Sequence, residues 1–477
     1  MRTITGPALR RNKKGVNYMK RTLRMLAAAF LLTAALSVSA SAADFGPVAQ
    51  ELSAIGMFRG TGTSFELDRA PTRAEAAIML VRLYGAEEQA KVAYAASAIS
   101  HPFTDVPDYA APHVAWLYSE GLTKGMSADT FGSALPCTDQ SYATFLLRAL
   151  GYRDGEDFDY AGALTAAQEK GFYTPLLFMG EFLRDDLAAM TYQALAADTA
   201  KGDTYLLDQL IEEGAVDKKA AAPMVEKMEL YRELTSKAAG LEENAMDMEL
   251  LMSMNMVMTS EGETAVSYAT AAGTIQAIME DEENPEMAYL LTTITDGVAA
   301  NTGMWMKDGW VYQSVSDGSV TQAIKYPMDD MMAGFELPET KAAVSTNVSD
   351  LAALDAITKE KDGSSTVYTL TIREGLGGMM DSVMSLVGQT TGIAGMTLDV
   401  GEMTMGYALD RKGALKELAI QMPYGMTLSV PDETGAMVEV DAQVDLKMLV
   451  TIKALGDDVE IEYPDLSAFL EADPYAA

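Results

Sequence analysis

The sequence predicts a multidomain α + β protein, with an all-α N-terminal half built of repeats and a C-terminal half formed by one large, curved antiparallel β-sheet. Three observations predict it. At 477 residues the chain is too long for one hydrophobic core, so two or three domains are expected. Residues 44 to 215 carry Ala, Leu and Gly at helical spacing, and one helix-start pattern returns three times. Residues 245 to 463 alternate apolar with polar at a period of two, which gives strands one dry and one wet face.

At the N-terminus, Lys20, Arg21 and Arg24 precede the apolar run MLAAAFLLTAALSV, and Ser39-Ala40-Ser41-Ala42 supplies a small-residue cleavage pattern. Residues 1–42 are therefore expected to be a signal peptide and the chain to be exported, with Met19 as an alternative start. The apolar run is shorter than the ~20 residues a membrane span needs, and no later segment reaches that length. No cysteine near the cleavage site could take a lipid. Cys137 is the single cysteine, which excludes intramolecular disulfides. The formal charge of −34 sets the bulk surface against nucleic acid and anionic lipid headgroups.

The repeat is carried by APTRAEAAIMLVRLYG (70–85), PCTDQSYATFLLRALGY (136–152) and EFLRDDLAAMTYQALA (181–196), aligned on Thr72, Thr138 and Leu183. In the first copy Thr72 and Glu75 have the spacing of a capping box: the hydroxyl accepts an early helix N–H, and the carboxylate reaches back to the cap. Ala76, Met79, Leu80 and Leu83 then share one helical face. Tyr142, Phe145, Leu146 and Ala149 repeat that face, as do Leu187, Met190, Thr191 and Ala194. Ahead of the second copy stand Phe103-Thr104-Asp105-Val106, a helix carrying Trp116, and the turn Gly121-Leu122-Thr123-Lys124-Gly125. The first copy offers LSAIGMFRG (52–60) with Phe65, and the third offers Phe158-Asp159-Tyr160 and AAQEKGFYTP (166–175).

Helix, glycine turn, then a TRAE-type helix resembles the S-layer homology module of Gram-positive bacterial envelopes. The resemblance covers about 170 residues, as repeats at about 44–86, 100–152 and 157–216. It implies three units around a pseudo-threefold axis, with grooves that hold a pyruvylated secondary cell wall polysaccharide, and hence a cell-surface location. A pyruvate ketal presents a carboxylate, which the planar fork of a helix-start arginine can take bidentately. The resemblance implies binding roles for Arg73, Glu75, Asp105, Trp116, Gly125 and Arg184. Arg73 could equally be a surface charge, Asp105 a cap and Trp116 a core residue. The second copy departs from the pattern, because Asp139 stands where the arginine would be and would repel an acidic sugar.

Residues 217–244 are charged, Ala-rich and helical in character, and are expected to be a linker helix. The β-sheet domain is expected over 245–477. Its clearest strand is MVEVDAQVDLKMLVTIKA (437–454), with Val438 to Ile452 pointing one way and Glu439 to Lys453 the other. At ~3.3 Å per residue so long a strand must curl to stay in a compact domain. Turns are expected at Asp308-Gly309, Asp317-Gly318, 410–413 and 456–458, and helices at 328–333, 348–357 and 375–388 covering the dry side.

MDMELLMSMNMVMTS (246–260) places Met246, Met248, Leu250, Met252, Met254, Met256 and Met258 on one strand face, and Met403, Met405 and Tyr407 look like another such face. Three readings compete: Cu(I) ligation, ordinary core packing, and a pliable apolar cavity. Copper is disfavoured because this half has neither histidine nor cysteine. The half also resembles the curved half-barrel lipoprotein carriers of bacterial envelopes, the LolA and LppX-like group. The residues behind that impression are the methionine strand, GMWMKDGWVYQSV, YTLTI, YALDRKGALKEL and VEIEYPD. The resemblance implies a lipid or other apolar small molecule held between sheet and helices, facing Met248, Met252, Met254, Met256, Met403 and Met405.

The two histidines, His101 and His113, lie in the repeat region, so the second half lacks the material for triad, zinc or cysteine chemistry. No cofactor and no enzymatic activity are expected. A wall-anchored carbohydrate hydrolase, which needs only two carboxylates, and an inert surface spacer are the alternatives.

Overall fold

The structure, a computed structural model, describes residues 45–60, 64–175, 178, 181–238, 245–260, 263–279, 285–316, 321–328, 350–373, 397–431 and 437–472. The expected signal peptide, the turn at 317–318, all but Met328 of the helix at 328–333 and the helix at 375–388 lie outside the described residues. Two compact units emerge, one helical (residues 39–235 with 348–357) and one built on the sheet (236–347 and 358–477).

The helical unit contains α1 (Gly46–Ala54), α2 (Arg73–Leu83), α3 (Glu87–Ala95), α4 (Ala111–Ser119), α5 (Asp139–Ala149), α6 (Ala163–Glu169), α7 (Arg184–Leu195), α8 (Leu206–Glu212) and most of α9 (Lys218–Ala238). Three like repeats are visible in the turns. Helices α1, α4 and α6 each end at a glycine of positive φ, Gly56 (81°), Gly121 (72°) and Gly171 (77°). The next N–H then returns to a carbonyl five residues back, Met57 to Leu52, Leu122 to Leu117 and Phe172 to Ala167. This is a Schellman stop, in which glycine takes the left-handed backbone without a Cβ clash.

The second helices, α2, α5 and α7, bury the faces expected of them, and Tyr142 meets Thr191 through a 2.5 Å hydroxyl contact in the core. Thr72 closes a full capping box with Glu75, and Thr138 accepts from the Ser141 N–H. Leu183 has no acceptor, so the third start keeps only half the device, with Asp186 accepting the Leu183 N–H at 2.7 Å.

The helix expected over 217–244 forms as Lys218–Ala238 within the described residues, and it packs as well as connects. Helix α9 buries Ala221, Met224, Met228 and Leu234, and Lys227 is buried against Glu51 at 3.0 Å. An amphipathic helix with an apolar stripe packs rather than bridging through solvent. The expected helix at 348–357 is corrected. Leu351–Ala353 make one 3₁₀ turn and Leu354–Asp362 form a strand, β7, because Ile357 and Thr358 favour extended backbone and Asp362-Gly363 closes a hairpin. Leu351 to Leu354 are buried within the helical unit.

The sheet unit contains β1 (Ala245–Ser260), β2 (Glu263–Ile278), β3 (Glu286–Thr295), β4 (Val298–Lys307), β5 (Trp310–Ser316), β6 (Thr321–Pro327), most of β7, β8 (Ser365–Ile372), β9 (Thr397–Val400), β10 (Met403–Leu409), β11 (Leu415–Pro431), β12 (Met437–Leu455) and the two-residue β13 (Leu470–Glu471). Among the described residues they form one open, curved sheet in the order β13-β6-β5-β4-β3-β2-β1-β12-β11-β10-β8-β7, with β9 on β11. Every pairing with a described register is antiparallel except that of β13 with β6. The Asp308-Gly309 turn stands as expected, with φ of 51° and 75°, and Asp296-Gly297 adds another of the same kind at 48° and 83°.

The expected hairpin at 456–458 is corrected to a 3₁₀ turn, and among the described residues after it the strand Leu470–Glu471 pairs with β6 and not with β12. Pro464 interrupts further pairing, and the tail instead packs Phe469 edge-on against Trp305 at 5.8 Å and Tyr312 at 5.6 Å.

Candidate functional site

The three second helices open on different residues, and their first positions set the chemistry of the helical unit. Arg73 begins α2. Its backbone N–H donates to Leu135 O at 2.9 Å, its Nε to Phe131 O at 3.3 Å, and its guanidinium lies 5.2 Å over the Phe131 ring. Arg184 begins α7 with the same geometry one repeat away. Its backbone N–H donates to Arg69 O at 2.9 Å, its Nε to Phe65 O at 2.9 Å, and it lies 5.0 Å over Phe58. Each arginine therefore locks onto the loop that precedes the second helix of another repeat.

The two differ in what remains. Arg184 is 4 % exposed and spends its other nitrogens on Glu75, at 2.8 Å, and on Arg59 O, at 3.3 Å. Arg73 is half-buried and has no carboxylate partner among the described residues. It lines a cavity of about 1020 Å³ with Lys124, Gly125, Ser141, Arg148 and Tyr160. Within that lining Arg148 is neutralised by Asp154 at 2.7 Å, and Arg153 by Glu156 at 2.6 Å. Asp159 also lines the cavity, its Oδ1 accepting the Gly162 N–H at 2.7 Å, while Arg73 and exposed Lys124 have no carboxylate partner among the described residues, so an acidic group entering on their side meets a planar fork and a point charge.

Glu75 faces inward. It accepts from both terminal nitrogens of Arg69 (2.6 and 3.0 Å) and from the Thr72 N–H (2.8 Å), and it pairs with Arg184. Burial alone would raise its carboxyl. The Arg69 hydrogen bonds, the Thr72 N–H and the Arg184 charge outweigh that and hold it down at about 2. Asp105 accepts the N–H groups of Phe131, Gly132 and Ser133 at 2.7, 2.7 and 3.0 Å. Those bonds overcome desolvation and keep its carboxyl below the usual range. Asp105 thus folds the loop whose Phe131 carbonyl receives Arg73.

Trp116 is buried at 8 % exposure, 5.5 Å from Tyr84, and its Nε1 has no partner among the described residues. Gly125 has φ of 71°, and a Cβ there would stand 2.3 Å from the Phe103 ring and 2.8 Å from Thr130 O, so packing alone demands glycine. Of the six residues singled out, the structure brings Arg73 and Gly125 to one cavity. Glu75, Asp105, Trp116 and Arg184 stand behind it.

Sequence reasoning missed Lys124, Ser141, Arg148 and Tyr160. A signal existed for Arg148: like Arg82 in the first copy, it stands ten residues after the threonine. Arg82 donates to Met57 O at 2.9 Å and Arg148 to Leu122 O at 3.1 Å, each just beyond its positive-φ glycine. The third copy has Gln193 there, buried and unpartnered among the described residues.

On the sheet, Met248, Met252, Met254, Met256, Met403 and Met405 are all buried on one face, at 1 to 6 % exposure. The register explains the residue choice. Met252, Met254, Met256 and Met258 of β1 sit opposite Ala271, Ala269, Ser267 and Ala265 of β2. A row of long unbranched thioethers fills the space that a row of small neighbours leaves open. Met246, of the same parity, is only half-buried, where the register with β12 shifts at Asp247/Met248.

Residues 102–138 match the S-layer homology domain family. This chain carries an S-layer homology segment. The match spans the second repeat from the Phe103-Thr104-Asp105-Val106 entry to the Thr138 cap. A cell surface protein of Thermoanaerobacter kivui is 30 % identical over 167 residues, 33 % of this chain and 21 % of that protein. A middle cell wall protein of Brevibacillus brevis is 34 % identical over 113 residues, 23 % of this chain and 10 % of that protein. The chain thus spans about a fifth or less of the length of these relatives. Among solved structures, LprF from Mycobacterium bovis aligns over 49 % of this chain and 96 % of its own, at 9 % identity and a TM-score of 0.24.

Proposed function

We propose that this is an exported surface protein held to the cell wall by its helical unit, which grips an acidic envelope polysaccharide in the cavity beside Arg73. The S-layer homology segment and the relatives' description as cell surface and cell wall proteins support wall association. The observation that carries the finer reading is the asymmetry between two arginines in equivalent places, of which Arg73 lines a cavity and has no carboxylate partner among the described residues, whereas Arg184 is paired with Glu75. A pyruvate ketal is the acidic group proposed, since one carboxylate on a sugar fits one fork and one ammonium. Arg184 and Glu75 act as the internal clamp that orders this part of the unit, and Asp105 as the support of the 131–133 loop that holds Arg73.

The sheet unit is proposed to be non-catalytic. Both histidines and the cysteine of the chain lie in the helical unit instead: His113 is buried 3.5 Å from Glu87, His101 is stacked on Tyr94 and Phe103, and burial pushes the Cys137 thiol up to about 12, so all three serve packing there. The continuous thioether face, made of side chains that repack at low cost, favours a lipid or other apolar guest as a second property of this unit. Native mass spectrometry of the purified protein tests that, and no co-purifying guest and no uptake of an apolar dye would remove it.

The wall reading is tested by co-sedimentation with purified walls, pyruvylated and depyruvylated. The parent is expected to sediment with the former only, and Arg73→Ala to lose at least about 1.5 kcal/mol of binding, roughly tenfold, as for a charge-assisted hydrogen bond. Equal retention of Arg73→Ala would remove this groove from the account.

A further inference from the structure

At one end of the sheet unit the β7–β8 turn, the β10–β11 turn, the end of β12 and the last turn of α9 surround a second cavity, of about 950 Å³. Its lining is unlike the rest of the chain. Lys237, Lys361, Arg411 and Lys412 contribute four positive charges, against one carboxylate, Asp410, in a chain with 69 acidic and 35 basic residues. That carboxylate is already engaged, since Asp410 Oδ1 accepts the N–H groups of Lys412 at 2.7 Å and Ala414 at 3.0 Å to close the turn. Lys237 donates to the Tyr368 hydroxyl at 2.9 Å. Lys361, Arg411 and Lys412 have no carboxylate partner among the described residues. Ser364, Ser365 and Thr366 add hydroxyl donors, and Gly363 and Gly413, at φ of 57° and 88°, form the turns that bring the cations together.

We propose that this cavity is a binding site for a phosphate group carried on a hydrophilic chain, such as a polyol phosphate. Clustered like charges cost self-repulsion, and here that cost is met where the protein's overall field would itself oppose an anion. Beyond a Debye length of about 8 Å the rest of the acidic surface is screened, so local charge decides. A doubly charged group with several acceptor oxygens matches two or more ammonium groups, an arginine fork and hydroxyls better than a lone carboxylate does. The lining offers only Leu409 and Leu455 as large apolar groups, which suits a water-soluble chain over a membrane surface.

The test is calorimetric titration of the full-length protein with short poly(glycerol phosphate) chains at low salt, alongside phosphatidylcholine vesicles with and without phosphatidylglycerol. The triple variant K361E/R411E/K412E is expected to bind the soluble chains at least about tenfold more weakly. The control K201E/K218E/K219E, which makes the same charge change at exposed lysines of the helical unit, is expected to bind like the parent. Arg73→Ala should also bind like the parent, which keeps this site separate from the wall groove. Equal binding by K361E/R411E/K412E, equal loss in the control, no binding by the parent, or preference for the phosphatidylglycerol vesicles would each overturn the assignment.

Discussion

Replacing Glu75 with Gln should open the helical unit where two repeats are fastened together. Glu75 serves Arg69, Thr72 and Arg184 at once, and the Arg184 side chain is only 5 % exposed. A carboxyl held at about 2 in the folded protein, against an ordinary 4.5, corresponds to about 3 kcal/mol of stability at neutral pH. Stranding a buried arginine costs the same order, about 3 to 5 kcal/mol. Gln keeps the size and one acceptor, so Glu75→Gln removes the charge and little else. Hydrogen exchange read by mass spectrometry on peptides covering 73–83 and 184–195 should accelerate roughly a hundredfold at pH 7, while peptides from 245–260 stay unchanged as an internal reference. The parent should lose the same protection as pH falls from about 4.5 toward 2, because the unfolded chain takes up the proton first. Exchange at 73–83 that does not change in Glu75→Gln would refute the hub.

A second carboxyl works in the opposite sense. Burial pushes Asp186 up to about 6, with the Leu183 N–H opposing and the Asp139 charge adding, so the folded state holds this proton longer and stability falls as pH rises from about 3.8 to about 6. Asp186→Asn should therefore stabilise the helical unit at pH 7 and lose that advantage at pH 4, as thermal melts at the two pH values will show. Gly125→Ala should lower the melting temperature, by about 2 kcal/mol of stability, since both the left-handed backbone and the Phe103 ring exclude a Cβ. An unchanged melt would mean that the loop rearranges freely.

Much of this fold was legible because its signals are local. Thr72 with Glu75, the glycines at 56, 121 and 171, and the period-two run through β12 each report their own geometry within a few residues. The methionine strand was placed on the correct face for the same reason. What could not be read was which partner each charge would find. Arg73 and Arg184 look alike in sequence, and only the position of Glu75 in space commits one and leaves the other. Asp105 and Trp116 look like ligand-binding residues in sequence, yet three N–H donors from residues 131–133 and the Tyr84 ring, both distant in sequence, decide their work. The segment 348–357 has the Ala and Leu content of a helix, yet the β-branched pair Ile357-Thr358 at its end belongs to a strand that begins at Leu354.

That same stretch constrains how the protein can be made and cut. Leu351 to Leu354 complete the core of the helical unit, Asp350 receives the Thr174 hydroxyl at 2.7 Å, and Lys227 reaches Leu354 O at 3.4 Å. A gene fragment stopped at residue 244, the obvious seam on paper, would yield a helical piece with a hole in it. On the ribosome the N-terminal repeats must likewise wait for most of the sheet's sequence to emerge before their last side chains arrive.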